Sequence, residues 1–224
     1  MPLPRRLSKA PVILYLHGFA SSPQSTKARY LAERLREHDV IFHCPDFNQP
    51  DFATLTVTRM LDQLEREVNA AAPDRVMLIG SSLGGALGIL AAARFGARVE
   101  RLVLLAPAVM FAKPGHHLLP PERVDEWRRK GSLPFFHYAD NRERPLNFAF
   151  YEDSLRYDPF DARFTQPALV FQGLRDQSVD PRTVERFARE RPNVTLALLD
   201  DDHQLTASLP RIWNDMQPFL GLTG

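Results

Sequence analysis

A serine framed by glycines stands at Gly80-Ser81-Ser82-Leu83-Gly84, the pattern Gly-x-Ser-x-Gly. It lies where the short apolar run Arg75-Val76-Met77-Leu78-Ile79 ends and an Ala- and Leu-rich stretch begins at Leu83. A serine on so sharp a strand-to-helix turn needs a strained backbone. Gly80 and Gly84 permit it, because neither carries a Cβ to block the turn. The turn would expose the Ser82 hydroxyl at the positive end of the following helix, so Ser82 is the candidate nucleophile. The pattern alone arises by chance in roughly 7% of chains this long, and a glycine-rich turn can also cradle phosphate. No Gly-Lys-Ser/Thr follows it, which excludes a P-loop. Its partners must decide.

A hydroxyl becomes a useful nucleophile when a base takes its proton and a third group orients that base. One chain order for such a set is serine, acid, histidine. After Ser82, Ala168-Leu169-Val170-Phe171 reads as a strand and runs into Gln172-Gly173-Leu174-Arg175-Asp176. Asp176, just past a strand on a glycine-initiated turn, is the candidate acid. The plainer reading is an Asx-turn residue, and Asp180 is the second candidate. His203 follows the apolar run Val194–Leu199 and Asp200-Asp201-Asp202, and it alone of seven histidines comes after both serine and acid. The three aspartates could tune its protonation, although Asp202 is too close in sequence to fold back onto Nδ1. Acyl transfer also needs donors for the oxyanion. The backbone N–H of Leu83, next to the nucleophile, is one. The other is the N–H of Phe19, in the loop His17-Gly18-Phe19-Ala20-Ser21-Ser22. His17 reads as a brace for that loop.

Other residues carry less chemistry. His116 and His117 would point to opposite sides of a strand, with no acidic ligand patterned nearby, which argues against metal. Cys44, the single cysteine, reads as packing. Arg128-Arg129-Lys130 reads as a solvated face, with contact to an acidic substrate as the alternative. No metal and no cofactor are expected.

The elements that must hold these residues alternate. Val12-Ile13-Leu14-Tyr15-Leu16 is short and wholly apolar, as a strand buried on both faces should be. Ser22-Pro23 suggests a cap and first residue for a helix running to about His38. Val40-Ile41-Phe42 is a second strand, and Val57, Leu61, Leu64 and Val68 form one face of a helix. Strands at 75–79, 99–105, 168–171 and 194–199 and helices at 83–95, 181–190 and 209–219 complete the series. Six strands alternating with helices predict an α/β fold with a mostly parallel, doubly wound sheet. Residues 111–164 break the rhythm. They read as irregular yet hold 11 of the 22 aromatics, and a structureless loop of that length does not suit a compact domain. They are expected to form an inserted cap over an apolar pocket, between core segments 1–110 and 165–224, with Phe135 and Phe136 offered as pocket residues. The alternative is a satellite core.

The 224 residues suffice for one domain with a full core. A net charge of +1 gives no reason to expect nucleic acid. No apolar run could span a bilayer, and no secretory signal opens the chain, so a cytoplasmic enzyme is the expectation.

Taken together these residues resemble the α/β-hydrolase superfamily over nearly the whole chain. Tyr15-Leu16-His17-Gly18-Phe19-Ala20-Ser21-Ser22-Pro23-Gln24-Ser25-Thr26-Lys27-Ala28, with Gly80-Ser81-Ser82-Leu83-Gly84-Gly85, is similar to the small YqiA-type esterases. The resemblance implies a carboxylesterase for short acyl esters with Ser82, Asp176 and His203 as its triad. The aromatic insertion departs from that pattern and more loosely resembles the cap of mitochondrial acyl-protein thioesterases, which implies thioesters as a second substrate class. A catalytically silent binding protein of the same fold is the remaining alternative.

Overall fold

The computed structural model describes residues 10–111, 113 and 119–222. In chain order the elements are β1 (Val12–Leu16), α1 (Thr26–Leu35), β2 (Ile41–His43), α2 (Val57–Ala70), β3 (Val76–Ser81), α3 (Leu83–Phe95) and β4 (Val99–Leu105). There follow α4 (Pro121–Lys130), β5 (Ser132–His137), β6 (Arg142–Asn147), α5 (Ala149–Ser154), β7 (Ala168–Gly173), α6 (Pro181–Arg189), β8 (Val194–Leu199) and α7 (Leu209–Phe219). Six strands form one sheet in the order β2-β1-β3-β4-β7-β8, every pair parallel. This is the expected architecture.

Alternation along the central strands divides the core. Val12, Leu14 and Leu16 turn toward the face covered by α2, α3 and α6. Ile13 and Tyr15 turn toward the face covered by α1 and α7. Burial on both faces is why these strands read as unbroken apolar runs.

Two details differ from the sequence reading. Helix α1 starts at Thr26, where the Ser25 side chain accepts from the Ala28 N–H at 3.3 Å, and it stops at Leu35. Ser22 belongs instead to a preceding turn, its carbonyl accepting from the Ser25 N–H at 3.1 Å. The larger correction concerns residues 111–164, whose described part, from 119 onward, is not irregular. They hold α4, an antiparallel hairpin of β5 and β6, and α5. Pro134 and Pro145 face each other across the hairpin. Proline demotes a strand in sequence, but a two-stranded ribbon has outer edges where the missing N–H costs no ladder bond.

The aromatics of this excursion join the core shared with α2 and α3. Trp127, Phe148, Phe150, Phe160 and Phe164 are all buried there, and the Trp127 indole donates to the Leu146 carbonyl at 2.7 Å. Burial alone makes each such ring worth about 1.5–3 kcal/mol. Three tethers fix the excursion to the sheet domain. The Tyr138 N–H donates to the Ala20 carbonyl at 2.9 Å, Arg144 pairs with Asp51 at 3.2 Å, and Asp153 accepts from the Thr58 N–H at 2.7 Å.

Helix α3 crosses β1 so closely that a Cβ on Gly84 would run into the Leu16 carbonyl, a backbone group that cannot step aside. On Gly88, one turn later, a Cβ would meet only the Leu104, Leu16 and Leu102 side chains at 3.5–3.9 Å, ordinary contacts. Gly84→Ala is therefore expected to cost about 3 kcal/mol or more. Gly88→Ala should be neutral or stabilising by up to about 1 kcal/mol. Urea melts of the two variants test this, and equal effects would contradict it.

Candidate active site

Ser82 joins β3 to α3 with φ 54° and ψ −116°. A non-glycine residue there carries strain of about 1–3 kcal/mol and persists only when its surroundings over-determine it. They do. The Ser82 N–H donates to the Leu105 carbonyl at 2.9 Å, and the Ser82 carbonyl accepts from Gly85, Ala86 and Ala108 at 2.9–3.1 Å. The hydroxyl is thereby held clear of the sheet.

His203 Nε2 lies 3.1 Å from Ser82 Oγ, and His203 Nδ1 lies 2.8 Å from Asp176 Oδ2. The three residues, up to 121 positions apart, thus form one hydrogen-bonded chain. The Asp176 side chain is fully buried, whereas the imidazole keeps 18% of its surface exposed. Asp176 Oδ1 accepts from the Ser178 and Val179 N–H groups, both at 2.8 Å. Burial pushes this carboxyl up, but hydrogen bonds from His203, Val179 and Gln172 outweigh it and hold the group below its ordinary range. It stays ionised. Asp180, the second candidate, instead caps α6 by accepting from the Arg182 N–H at 3.0 Å.

The three aspartates before His203 shape its loop without touching its ring. Asp200 pairs with Arg175. Asp201 accepts from the Asp202 and Ser208 N–H groups at 2.8 and 2.9 Å. Asp202 accepts from the Gln204 N–H at 2.7 Å.

Two contributors escaped the sequence reading. Gln172 donates to Asp176 Oδ2 at 2.9 Å, sharing that oxygen with His203. Lys27, only 8% exposed, donates to the Gln204 carbonyl at 2.9 Å and so ties α1 to the His203 loop. Burial lowers the Lys27 ammonium from 10.5 to about 8, against the pull of Asp202, Asp176 and Asp201. Its folded pKa is depressed, so between about pH 8 and 10.5 the unfolded chain holds the proton that the fold has lost. Stability from this group therefore rises with pH across that window. Lys27→Met removes the dependence, and its stability relative to the unmodified protein should fall between about pH 8 and 10.5. A constant difference in urea melts would contradict this.

Gly18 packs against Ser82, and a Cβ on it would stand 3.4 Å from the Ser82 Cβ. This brings the Phe19 loop beside the serine. Neither the Phe19 nor the Leu83 N–H donates to another backbone or side-chain group among the described residues. His17 is buried beneath the loop. Its Nε2 accepts from the Phe47 N–H at 3.0 Å, which leaves the proton on Nδ1 for the Gly18 carbonyl at 2.9 Å. The brace expected of His17 is present.

Two cavities meet at Ser82. A slot of about 70 Å³ is walled by Leu83, Val124, Trp127, Phe150 and Tyr151. A groove of about 630 Å³ runs the other way, past Lys27, Tyr138 and Thr183. The pocket residues expected from the sequence do not line the slot. Phe135 packs on Phe19 and Trp127 at 5.7 and 4.9 Å, and Phe136 is exposed against Tyr138. Strand alternation sends the pair to opposite sides, and it is Trp127 and Phe150 that reach the cavity. Cys44 is inert, its thiol pushed up to about 12 by burial and by Asp46. Arg128 and Lys130 pair with Asp125 and Glu126 on the exposed face of α4. His116 and His117 lie outside the described residues. Among those residues no helix is long and apolar enough to cross a membrane.

A parallel sheet in this order, with a serine on the turn after β3, defines the α/β-hydrolase fold. Within it the chain belongs to the family described as "Uncharacterised protein family (UPF0227)", which matches residues 12–219. The resemblance to YqiA-type proteins is thereby upheld. No curated protein matches the chain in sequence. Among solved structures it is similar to a protein of Agrobacterium vitis S4, at 22% identity and TM-score 0.82 over 93% of this chain and 87% of that one. It is likewise similar to mouse alpha/beta hydrolase domain-containing protein 10, at 22% identity and TM-score 0.80, covering 95% and 90%. Est1E from Butyrivibrio proteoclasticus, solved with ferulic acid bound, gives 21% identity and TM-score 0.80, covering 98% and 94%.

Proposed function

We propose that this protein is a serine hydrolase that cleaves carboxylic esters through an acyl-enzyme on Ser82. The observation that carries the reading is the unbroken chain from Ser82 Oγ through His203 to buried Asp176, at 3.1 and 2.8 Å. Ser82 Oγ attacks the ester carbonyl carbon as His203 Nε2 takes its proton, and Asp176 stabilises the imidazolium. The N–H groups of Phe19 and Leu83 receive the oxyanion, and such donors are worth roughly 10²–10³ each in rate. Collapse breaks the bond to the alcohol oxygen, which leaves with the proton from His203. Water, deprotonated by the same nitrogen, then attacks the acyl carbon and frees Ser82 with the carboxylic acid. Residues 111–164 act as a cap whose Trp127 and Phe150 wall the acyl side.

A fluorophosphonate tests the chemistry directly, since it needs an activated serine and a competent oxyanion site. It should label the protein once, at Ser82, with loss of activity toward p-nitrophenyl butyrate. Absence of labelling on folded protein would turn the assignment toward a silent binding protein.

A further inference from the structure

The two cavities at Ser82 differ in wall chemistry as well as in size. The slot is apolar and small. At about 70 Å³, with a water's share of liquid being about 30 Å³, it has room for only a few non-hydrogen atoms, which favours a short acyl chain over a long one. The groove is about 630 Å³ and has mixed walls, hydroxyls at Ser22, Ser178, Thr183 and Thr206 beside apolar Met110 and Phe111. Hydroxyl walls exchange hydrogen bonds with a neutral, hydroxyl-rich ligand without a desolvation penalty for charge.

Charge in the groove narrows the choice further. Among the described residues, Lys27 is the one lysine or arginine that lines it. Its ammonium is spent on the Gln204 carbonyl and faces Asp202, Asp176 and Asp201. Asp180 lines the same groove and balances it, so a leaving group bearing phosphates or carboxylates finds no net positive charge to receive it. Tyr138 completes the wall. It is 71% exposed, held edge-on against Phe136 at 5.2 Å, with its backbone N–H bound to the Ala20 carbonyl. An exposed aromatic ring in a groove that carries both hydroxyls and apolar side chains matches a sugar ring, whose C–H face packs on an aromatic while its hydroxyls bond to the walls.

We infer that the substrate is a short-chain O-acyl ester of a neutral, sugar-like polyol, with the acyl chain in the slot and the polyol in the groove against Tyr138. The inference rests on the esterase reading above and specifies its substrate.

The test compares kcat/KM for 6-O-butyrylglucose, ethyl butyrate, butyryl-coenzyme A and 6-O-dodecanoylglucose. The butyryl sugar should exceed ethyl butyrate by about tenfold or more. It should also exceed both butyryl-coenzyme A, a thioester whose leaving thiol carries phosphates, and the dodecanoyl sugar, whose chain overfills the slot. Tyr138→Ala should lower the ratio of sugar ester to ethyl ester about tenfold. Equal rates for the butyryl sugar and ethyl butyrate would overturn the inference while leaving the esterase reading intact. Preference for butyryl-coenzyme A would overturn the inference and turn the reading toward a thioesterase, and preference for the dodecanoyl sugar would put the acyl chain in the groove instead. Failure to hydrolyse any of the four would sink the esterase reading itself.

Discussion

Ser82→Ala is expected to lower kcat for ester hydrolysis by about 10⁴ to 10⁶ while the protein folds as before. The separation of the two effects follows from the turn. What fixes Ser82 at φ 54° is its backbone, bound to Leu105, Gly85, Ala86 and Ala108, and the side chain contributes nothing to the cap of α3. Alanine meets the same positive-φ penalty as serine, so stability should change by no more than about 0.5 kcal/mol. The only bond lost is the one to His203 Nε2. Steady-state kinetics beside a thermal melt decide the matter. Near-normal turnover by a folded variant would remove Ser82 from the mechanism.

Asp176→Asn is expected to lower kcat by about 10⁴ with little change in KM. Oδ1 accepts from two backbone N–H groups, Ser178 and Val179, so an asparagine must keep its oxygen on that side. Its NH₂ then faces His203 Nδ1 and the Gln172 amide, where an acceptor had been. The imidazole can satisfy that donor only by moving its own proton to Nε2, which faces Ser82. A protonated Nε2 cannot take the serine proton. Asp180→Asn is the matching control, since Asp180 bonds to the Arg182 N–H and not to His203, and asparagine caps α6 as well as aspartate. Loss of activity in the Asp180 variant with retention in the Asp176 variant would reassign the acid.

Most of this arrangement was legible in the chain because it is local. Gly-x-Ser-x-Gly announces its turn, and unbroken apolar runs announce strands buried on both faces. Helix α7 was read at its observed limits. What escaped was decided at a distance. Ser22 and Ser25 are equally good caps by type, and it is the turn closed by the Ser25 N–H on the Ser22 carbonyl that leaves the cap of α1 to Ser25. Lys27 looks like any surface lysine on a helix, since its partner lies 177 residues away. Phe135 and Phe136 are indistinguishable until strand phase is known, and the two prolines of the hairpin masked the strands.

The parallel register of β4 and β7 bears on what could ever be removed from this protein. The chain leaves β4 at Leu105, level with Phe171, and must re-enter at Ala168, level with Leu102, at the other end of the adjoining strand. Deleting 111–164 would leave only residues 106–110 and 165–167 to make that return. A parallel crossover needs about a dozen residues or more. The excursion is therefore the connection itself and not an ornament grafted onto one. A smaller relative could dispense with its aromatic wall only by supplying another way back across the sheet, so changes in substrate range at this site should come by substitution within the segment and not by trimming it.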